Sequence, residues 1–560
     1  MIRRTPTTWH RLRTRLAALT VGCVAHLAAF LPVSIHAQEV ADTKPLPQSD
    51  VRGSLVIVGG GVIPEPIVER FLELGGGLKT RLVVITTASS YASYPSNEWR
   101  LAYWYEQPVQ AVHVLHTSDR AVADSDEFSA ILDDATAVWF IGGNQLNVTN
   151  VYLGTKTEER LHALMRRGGV IGGTSAGAAI MSRVMIGGNT PDGPDLRAGF
   201  GFLPGVIIDQ HFVKRNRQPR LFKALATNPG MVGVGIDEGT ALVVHPAGIE
   251  VMGDSEVVLC LAGTSQTREI TQRFKSGENI DLSKWSMAAA GRARWDTYSR
   301  AEKRPAPEVP QGAVVIAGRK TPKAAIEEFL AAAGGKSAPV LVVTEGDKNS
   351  EDSELLQGCF EEAGAENVRL CQAATAAELE HPDLKQALSQ ARGVWFVGAQ
   401  ERRMMDFVLQ ARMDRLVKDI LERGGAVGGS SAGGKIHGDG VLSPADDESD
   451  PLGDIYACGL GVLPGVVIEQ QVVDNASASS IAKTLHQRFP WCVGVGLQDS
   501  AAVVVRGHTM EVLGDDAVAV IGEPGDSEDA SGAVEMVQAG EKYDLRERRR
   551  MDSDDITPTR

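Results

Sequence analysis

The sequence predicts two tandem, doubly wound α/β domains, each with a mostly parallel β-sheet that is covered by helices on both faces. Short runs of apolar and β-branched residues alternate with longer amphipathic stretches, a pattern typical of parallel strands that are buried on both sides. The 560 residues also repeat one series of segments in the same order, which indicates duplicated domains. Apolar residues (43%) and charged residues (23%) lie near globular averages. These values exclude a mainly disordered, fibrous or multi-spanning membrane protein.

In the first unit, short apolar runs are predicted strands and longer amphipathic stretches are predicted helices. The predicted strands are 55–58, 82–85, 137–141, 170–171 and 232–236. The predicted helices are 66–74 and 158–167. Two further runs, 241–244 and 250–252, flank a Pro-Ala-Gly turn, so we expect a hairpin at one edge of the sheet.

The repeat sets the predicted domain limits. RGGVIGGTSAGAAI at 167 matches RGGAVGGSSAGGKI at 423, and VGVGIDEGTALVV at 232 matches VGVGLQDSAAVVV at 493. AVWFIGGNQ at 137 likewise matches GVWFVGAQE at 393. We therefore predict a signal peptide at 1–37, a spacer at 38–52, a first α/β domain at 53–263, a linker at 264–311, a second, matching domain at 312–523 and a charged tail at 524–560.

The N-terminus predicts export. Five arginines and no acidic residue lie within the first 37 positions. All five arginines precede an apolar run at 16–31, and the segment PVSIHA follows that run, which is the order of a secretory signal. The run is shorter than the roughly 20 residues needed to span a bilayer, so cleavage near Ala37 is favoured over an uncleaved anchor. We expect a periplasmic or extracellular protein that keeps no membrane span.

Charge and cysteine usage restrict the possible partners. The formal net charge of −15 argues against binding to nucleic acid. The six cysteines form no C-x-x-C pair and have no histidine at zinc-finger spacing, so we expect no structural metal. We also expect no organic cofactor.

The segment GTSAG at 173–177 is the candidate nucleophile site. It follows an apolar run and precedes a helix-forming stretch, and G-x-S-x-G in this context forms a nucleophile elbow, a tight turn that exposes the serine hydroxyl. Ser175 is thus the candidate nucleophile. The alternative is a glycine-rich turn of a parallel sheet that has no catalytic role.

A serine hydroxyl needs a base, and the base needs a carboxylate to orient it. His211 follows the apolar run that ends in Ile207-Ile208-Asp209-Gln210, and Glu238 follows the run at 233–236. Loops at the carboxyl ends of parallel strands converge on one edge of a sheet. We therefore predict that Ser175, His211 and Glu238 meet, although a lone histidine at a strand end is more often structural.

Two further sets of groups are predicted at the same edge. Backbone N–H groups of Ala176 and of the loop at Gly143 and Asn144 are candidate donors to an oxyanion, unless these glycines only tighten the turn. After the histidine comes KRNRQPR at 214–220. Such a run is usually a solvated surface, but beside a nucleophile arginines can clamp substrate carboxylates through paired N–H donors. The sequence therefore predicts a preference for anionic peptides.

The second unit keeps the elbow and loses the other groups. Ser431 matches Ser175, but Gln471 and Asp499 stand in place of the histidine and the glutamate. His437 is expected on the helix after the elbow, facing away from the serine. The further replacements are Glu401 opposite Gln145, and Asn475, Ser477 and Ser480 near the three arginines. We expect a structural partner domain without hydrolytic activity.

GGTSAGAA around Ser175, FIGGNQ at 140, IIDQHFVKRNRQPRL at 207 and GIDEGTALVV at 235 resemble the cyanophycinase family of serine peptidases. The resemblance covers the first unit, and the second resembles a degenerate copy. It implies flavodoxin-like or glutamine-amidotransferase-like three-layer α/β/α domains, with Ser175 as nucleophile, His211 as base and Glu238 orienting it. The pocket residues that it implies are Gln145, Asp209, Gln210, Arg215, Arg217 and Arg220. Asn144 departs from the family, which commonly has an acidic residue there.

The resemblance further implies an exopeptidase that releases β-aspartyl-arginine dipeptides from cyanophycin, a poly-aspartate that carries arginine on each side-chain carboxyl. The arginines would hold the α-carboxylates of the polymer, and Asp209 could take a guanidinium. The alternatives are an aspartyl or isoaspartyl dipeptidase and a non-catalytic protein that binds acidic peptides. The expected partner is a peptide or polymer substrate, with either a homo-oligomer or pairing of the two domains within one chain.

Overall fold

The computed structural model describes residues 53–90, 99–265, 267–300, 307–344, 351–371, 386–387, 389–398, 401–410, 413–442, 458–472, 474–522 and 534–551. The predicted signal peptide at 1–37 and the spacer at 38–52 lie outside the described residues.

The N-terminal half alternates strands and helices in the predicted order. Its strands are β1 (Ser54–Val58), β2 (Arg81–Ile85), β3 (Ala111–Leu115), β4 (Ala137–Phe140), β5 (Val170–Thr174), β6 (Val184–Thr190), β7 (Gly193–Ala198), β8 (Val206–Gln210), β9 (Val232–Ile236), β10 (Thr240–His245), β11 (Gly248–Gly253), β12 (Glu256–Leu261) and β13 (Ile270–Lys275). Its helices are α1 (Glu65–Leu74), α2 (Trp99–Tyr105), α3 (Arg120–Ala123), α4 (Asp126–Ser129), α5 (Ile131–Asp134), α6 (Gln145–Tyr152), α7 (Lys156–Arg166), α8 (Ala176–Ala179) and α9 (Gln218–Ala226), and a 3₁₀ turn spans Gly77–Lys79.

The main sheet of this half has the order β11-β10-β1-β5-β4-β2-β3. Its strands β1 to β5 pair in parallel, whereas β10 and β11 form an antiparallel hairpin that lies on β1. All residues of β1 and β4 are buried, as expected of strands that are covered on both faces. The predicted α/β class with mostly parallel strands and the predicted edge hairpin are confirmed.

The structure adds a second sheet that the sequence did not predict. The strands β8 and β9 pair in parallel in a four-stranded sheet, β13-β12-β9-β8, and the antiparallel pair β6–β7 stands apart. Alternate side chains of β8 enter different cores: Val206 and Ile208 join the core of the main sheet, whereas Ile207 packs with Leu221 and Leu225 of α9. A continuous apolar run does not reveal which sheet a strand joins, because both surroundings are apolar.

The C-terminal half has the same strand order in its main sheet. Its strands are β14 (Val309–Ala317), β15 (Val340–Thr344), β16 (Val368–Cys371), β17 (Gly393–Gly398), β18 (Ala426–Ser431), β19 (Gly438–Gly440), β20 (Leu463–Gln470), β21 (Val493–Leu497), β22 (Ala501–Gly507), β23 (Thr509–Gly514), β24 (Val518–Ile521), β25 (Val534–Val537), β26 (Lys542–Asp544) and β27 (Arg549–Arg550). The order β16-β15-β17-β18-β14-β22-β23 repeats the order of the N-terminal sheet, and β26 and β27 extend it. A second sheet has the order β19-β20-β21-β24-β25.

The structure also describes helices from residue 282 onward. They are α10 (Leu282–Arg300), α11 (Lys323–Ala333), α12 (Glu351–Glu362), α13 (Glu401–Gln410), α14 (Met413–Glu422), α15 (Ala432–Lys435) and α16 (Asn475–Arg488). Within the described residues, no helix combines the length and the apolar character needed to cross a membrane.

The predicted linker at 264–311 needs correction, because it contains β13 and the 19-residue helix α10. β13 completes the second sheet by pairing with β12. The helix α10 packs against both halves: Trp285 joins the N-terminal core, whereas Trp295 stacks edge-on against Phe489 with ring centroids 5.0 Å apart. Arg294 also donates to the buried Asp439 across the halves. A helix that is buried on two sides lacks a single apolar stripe, and the sequence therefore suggested a linker.

The predicted charged tail at 524–560 also needs correction. β25 pairs with β24, and β26 pairs with β23, so part of the tail belongs to both sheets of the C-terminal half. Tyr543 and Leu545 are buried, and Arg550 pairs with Glu541 at 2.9 Å. Charged side chains of this segment form ion pairs both with one another and with residues outside it, so its composition resembles that of a free tail although it is folded.

Candidate active site

Ser175 occupies a strained turn between β5 and α8. Its backbone has φ 55° and ψ −106°, a conformation that non-glycine residues rarely adopt. The flanking glycines are needed because a Cβ on Gly173 would lie 2.7 Å from the carbonyl oxygen of Gly177. A Cβ on Gly177 would lie 2.5 Å from the carbonyl oxygen of Phe140. The structure thus has the geometry of the predicted nucleophile elbow.

The three predicted catalytic side chains form one hydrogen-bonded chain. Ser175 Oγ lies 2.9 Å from His211 Nε2, and His211 Nδ1 lies 2.6 Å from Glu238 Oε1. His211 follows β8 and Glu238 follows β9, so the second sheet delivers both residues to the elbow of the main sheet. With Nδ1 donating to the carboxylate, Nε2 is free to accept the serine proton.

The environment keeps His211 ready to act as a base. Burial lowers the pKa of His211, the hydrogen bond to Glu238 opposes that change, and the charges of Arg215 and Arg217 lower the pKa further. The net shift is downward, so the imidazole is neutral at pH 7. A neutral imidazole is the form that accepts a proton.

This shift predicts the acid limb of the pH profile. Peptidase activity (kcat/KM) should fall on acidification with a midpoint below the ordinary histidine value of about 6.5, because protonated His211 cannot act as the base. Arg215→Gln should raise that midpoint by removing a charge that disfavours imidazolium. Lys223→Gln on α9 serves as the control and should leave it in place. An unchanged or lowered midpoint in Arg215→Gln would contradict this electrostatic role.

The predicted oxyanion donors divide into two groups. The N–H groups of Ala176 and Gly143 have no hydrogen-bond acceptor within the described part of the chain, so both are available. The prediction for Asn144 is wrong, because its N–H donates to the carbonyl oxygen of Ala88 at 2.8 Å. Its side chain instead caps α6 by accepting from the N–H of Leu146. Asn144 therefore shapes the loop that holds Gly143.

Two predicted pocket glutamines lie at the edges of the site. Gln145 Nε2 donates to the carbonyl oxygens of Ile186 at 2.8 Å and of Gly187 at 2.9 Å, which ties the start of α6 to β6. Gln210 precedes His211 and is 5% exposed. Its Oε1 is buried without a hydrogen-bond partner among the described residues, and is thus the more available of the two for a ligand.

The arginine cluster is organised around Asp209. Arg220 donates to both carboxylate oxygens of Asp209, with Nε 2.9 Å from Oδ2. Arg217 donates to the Gln210 carbonyl oxygen at 2.7 Å and lies 3.4 Å from Asp209 Oδ1. Burial raises the pKa of Asp209, and the two guanidinium groups oppose that shift. Arg215 is exposed and has no ion pair in the described structure.

The predicted role of Asp209 therefore needs correction. Its side chain is 0% exposed, and arginines of its own chain occupy its oxygens, so no guanidinium of a substrate can reach it. Asp209 instead holds Arg217 and Arg220 in place. Of the three arginines, Arg215 is the one left free for a carboxylate.

The corresponding site in the C-terminal half has different side-chain contacts. Ser431 keeps the strained turn with φ 52° and ψ −131°, but Gln471 is exposed. Lys435 of α15 is buried, lies 2.8 Å from Glu401 and also contacts Glu469. Burial raises the pKa of Glu469 to about 7 despite the neighbouring lysine.

His437 does not replace the missing base. It is 0% exposed, its Nδ1 lies 3.2 Å from the carbonyl oxygen of Gly434, and its Nε2 has no partner among the described residues. Burial lowers its pKa to about 4. Within the described residues, Ser431 therefore has no hydrogen bond to an imidazole.

Sequence reasoning missed two supports of the site. Asp237 accepts from the N–H of Lys214 at 2.9 Å and from Ser255 Oγ at 2.8 Å, which holds the loop after His211. Gly60 lies against the imidazole ring. A signal for Gly60 was present in the repeat, because GGG at 59–61 faces GRK at 318–320. Within the described residues, no cluster of three or more His, Cys, Asp or Glu side chains could hold a metal ion.

A serine on a strained turn, bonded to an imidazole that is held by a carboxylate, defines an α/β serine hydrolase. The family model described as Peptidase family S51 matches residues 55–252. This chain belongs to that family and is a serine-type peptidase.

Several relatives and one solved structure are similar to this chain. A cyanophycinase of Geminocystis herdmanii is 33% identical over 220 residues, which cover 37% of this chain and 80% of the relative. The cyanophycinase of a Nostoc species is 32% identical and covers 37% and 72% of the two chains. A cyanophycinase of Synechococcus elongatus is 34% identical and covers 37% and 68%. The solved structure of a peptidase from an acI-B1 actinobacterium has a TM-score of 0.32 at 26% identity and covers 41% of this chain and 96% of that chain.

Proposed function

We propose that this chain is an exported serine exopeptidase that hydrolyses cyanophycin and releases β-aspartyl-arginine dipeptides through an acyl-enzyme on Ser175. One observation carries the proposal: the hydrogen-bonded triad of Ser175, His211 and Glu238. Ser175 Oγ lies 2.9 Å from His211 Nε2, and His211 Nδ1 lies 2.6 Å from Glu238 Oε1. The three relatives named above are described as cyanophycinases. Export rests on the secretory pattern of residues 1–37.

In the proposed reaction, Ser175 Oγ attacks the scissile carbonyl carbon while its proton passes to His211 Nε2. The N–H groups of Ala176 and Gly143 donate hydrogen bonds to the carbonyl oxygen and stabilise the negative charge that develops on it. Collapse breaks the peptide bond, and His211 returns the proton to the leaving amine. Water then attacks the acyl ester, again with His211 as base, and frees Ser175 and the product acid. Glu238 stabilises the imidazolium that forms twice per turnover.

Substrate capture is assigned to the positive charges beside the base. Each unit of cyanophycin carries a free arginine α-carboxylate, and Arg215 is the exposed arginine without an intramolecular partner in the described structure. Arg217 and Arg220, fixed by Asp209, add positive potential. A guanidinium binds carboxylates through two parallel N–H donors.

The test is to incubate the purified protein with insoluble cyanophycin granules and to measure clearing and released dipeptide. Isoaspartyl dipeptides form a second arm. Release from granules supports the proposal, whereas hydrolysis confined to dipeptides would replace it by a dipeptidase. Granule binding without hydrolysis of either substrate would indicate a binding protein. Export is tested separately, by locating the full-length chain in cell fractions and sequencing its mature N-terminus.

A further inference from the structure

The turn after β1 lies unusually close to the catalytic imidazole. Gly60 has φ 117°, and a Cβ built on it would lie 2.2 Å from His211 Cε1 and 2.7 Å from each ring nitrogen. Real Cβ atoms do not approach other atoms at such distances. A Cβ on Gly61 would likewise lie 2.9 Å from Glu238 Cβ. The two glycines therefore leave the space that the histidine and the glutamate occupy.

The same turn also holds the backbone of both residues. The carbonyl oxygen of Gly59 accepts from the N–H of His211 at 2.7 Å, and that of Gly60 accepts from the N–H of Gly239 at 2.9 Å. His211 has φ 52°, so a backbone bond is needed to keep it in a conformation that is otherwise disfavoured. The turn thus connects the loops after β8 and β9.

The C-terminal half shows an alternative use of this space. There the matching turn reads Gly318-Arg319-Lys320, and Arg319 Nη2 lies 2.7 Å from Asp499 Oδ2. The N–H of Lys320 donates to the carbonyl oxygen of Asp499. A guanidinium therefore bonds to the carboxylate in the half that has Gln471 in place of a histidine.

We propose that Gly60 is a positioning residue: its missing side chain is what allows the His211 imidazole to reach Ser175 and Glu238 together. A side chain at position 60 displaces the ring, and the imidazole loses contact with one or both partners. This inference rests on the proposed Ser175–His211–Glu238 mechanism. It assigns no contact between Gly60 and the substrate.

The test compares Gly60→Ala with Gly76→Ala. Gly76 has a similar φ of 111°, but the nearest atom to a Cβ built there lies 3.9 Å away, so the control carries the backbone strain without the clash. We expect Gly60→Ala to lower kcat about 100-fold or more, because displacement of a catalytic group by about 1 Å has an effect of that size. KM should change little. Labelling of Ser175 by a fluorophosphonate probe should slow in parallel, and Gly76→Ala should stay within about twofold of the parent in both assays.

The outcomes separate this inference from the proposed function. A parent protein that the probe does not label at Ser175 would overturn the mechanism itself. A labelled parent with equally fast labelling of Gly60→Ala would overturn only the role of Gly60. A loss that appears equally in Gly76→Ala would assign the effect to backbone strain and would also overturn it.

A double-mutant cycle keeps the test valid if Gly60→Ala folds but is too unstable for kinetic assays. With the ring removed by His211→Ala, the added methyl group has room, so Gly60→Ala should then lower the melting temperature much less than it does alone. Coupling of this sign supports a clash between position 60 and the imidazole. Equal losses with and without the ring would show that Gly60 serves the backbone turn only, and would overturn the proposal.

Discussion

Ser175→Ala should abolish peptide release, whereas Ser431→Ala should leave it unchanged. We expect a loss of at least about 10⁴-fold in kcat for the first variant, since removal of a serine nucleophile that acts with its base has effects of that order or larger. Ser431 sits on an equally strained turn, which makes it a matched control. Its half has Gln471 instead of an imidazole at the turn. Dipeptide release from cyanophycin, or from a β-aspartyl peptide, measures the difference.

The two serine variants together test whether the C-terminal half is inactive. An equal loss from Ser431→Ala would mean that peptide release requires both serines, and would overturn the assignment of a degenerate second domain. Retained activity in Ser175→Ala would remove the elbow from the mechanism. Circular dichroism should match the parent in both variants, because neither serine side chain caps the helix that follows it.

Asp209→Asn should destabilise the N-terminal half by about 3–5 kcal/mol, the usual effect of removing one partner of a buried ion pair. The substitution keeps the shape of the side chain but leaves Arg217 and Arg220, which are 16% and 15% exposed, without their buried counter-charge. KM should rise as well, because the two guanidinium groups lose their fixed positions. Urea unfolding followed by circular dichroism, with kinetics on the folded variant, measures both effects.

Asp195→Asn is the matched control for that charge removal. Asp195 pairs with Arg197 at 2.9 Å on the β6–β7 hairpin, where the two side chains are 23% and 40% exposed. Partly exposed pairs contribute about 1 kcal/mol or less, so stability should hardly change. An Asp209→Asn variant as stable as Asp195→Asn would contradict the anchoring role of Asp209.

Much of the site was predictable because its residues follow strand ends in a repetitive chain. The G-x-S-x-G motif predicts the nucleophile elbow. The comparison of the two units singled out His211, because the second unit has Gln471 at the matching position. The arginine partners were less predictable. The spacing of Asp209, Arg217 and Arg220 does not show that the acid is buried and binds the other two. Backbone hydrogen bonding was equally unpredictable from sequence. The sequence therefore did not show that the N–H of Asn144 donates to the carbonyl oxygen of Ala88.

The fold, like the site, was predictable from the sequence only in part. Apolar periodicity and the repeat were enough for the α/β class, the edge hairpin and the order of strands along the chain, because these depend on local burial patterns. They were not enough for the second sheet, for the helix Leu282–Arg300 between the halves, or for the strands of the C-terminal segment.

The chain's residue order alone predicts its class, its candidate nucleophile and the loss of the histidine in the second unit, because each depends on which residue follows which strand. Folding in three dimensions assigns the partners: Arg217 and Arg220 to Asp209, Asn144 to its own loop and Gly60 to the imidazole. Hydrogen bonds and steric exclusion depend on distances across the fold, and residues far apart in sequence reach those distances only when the two sheets pack together.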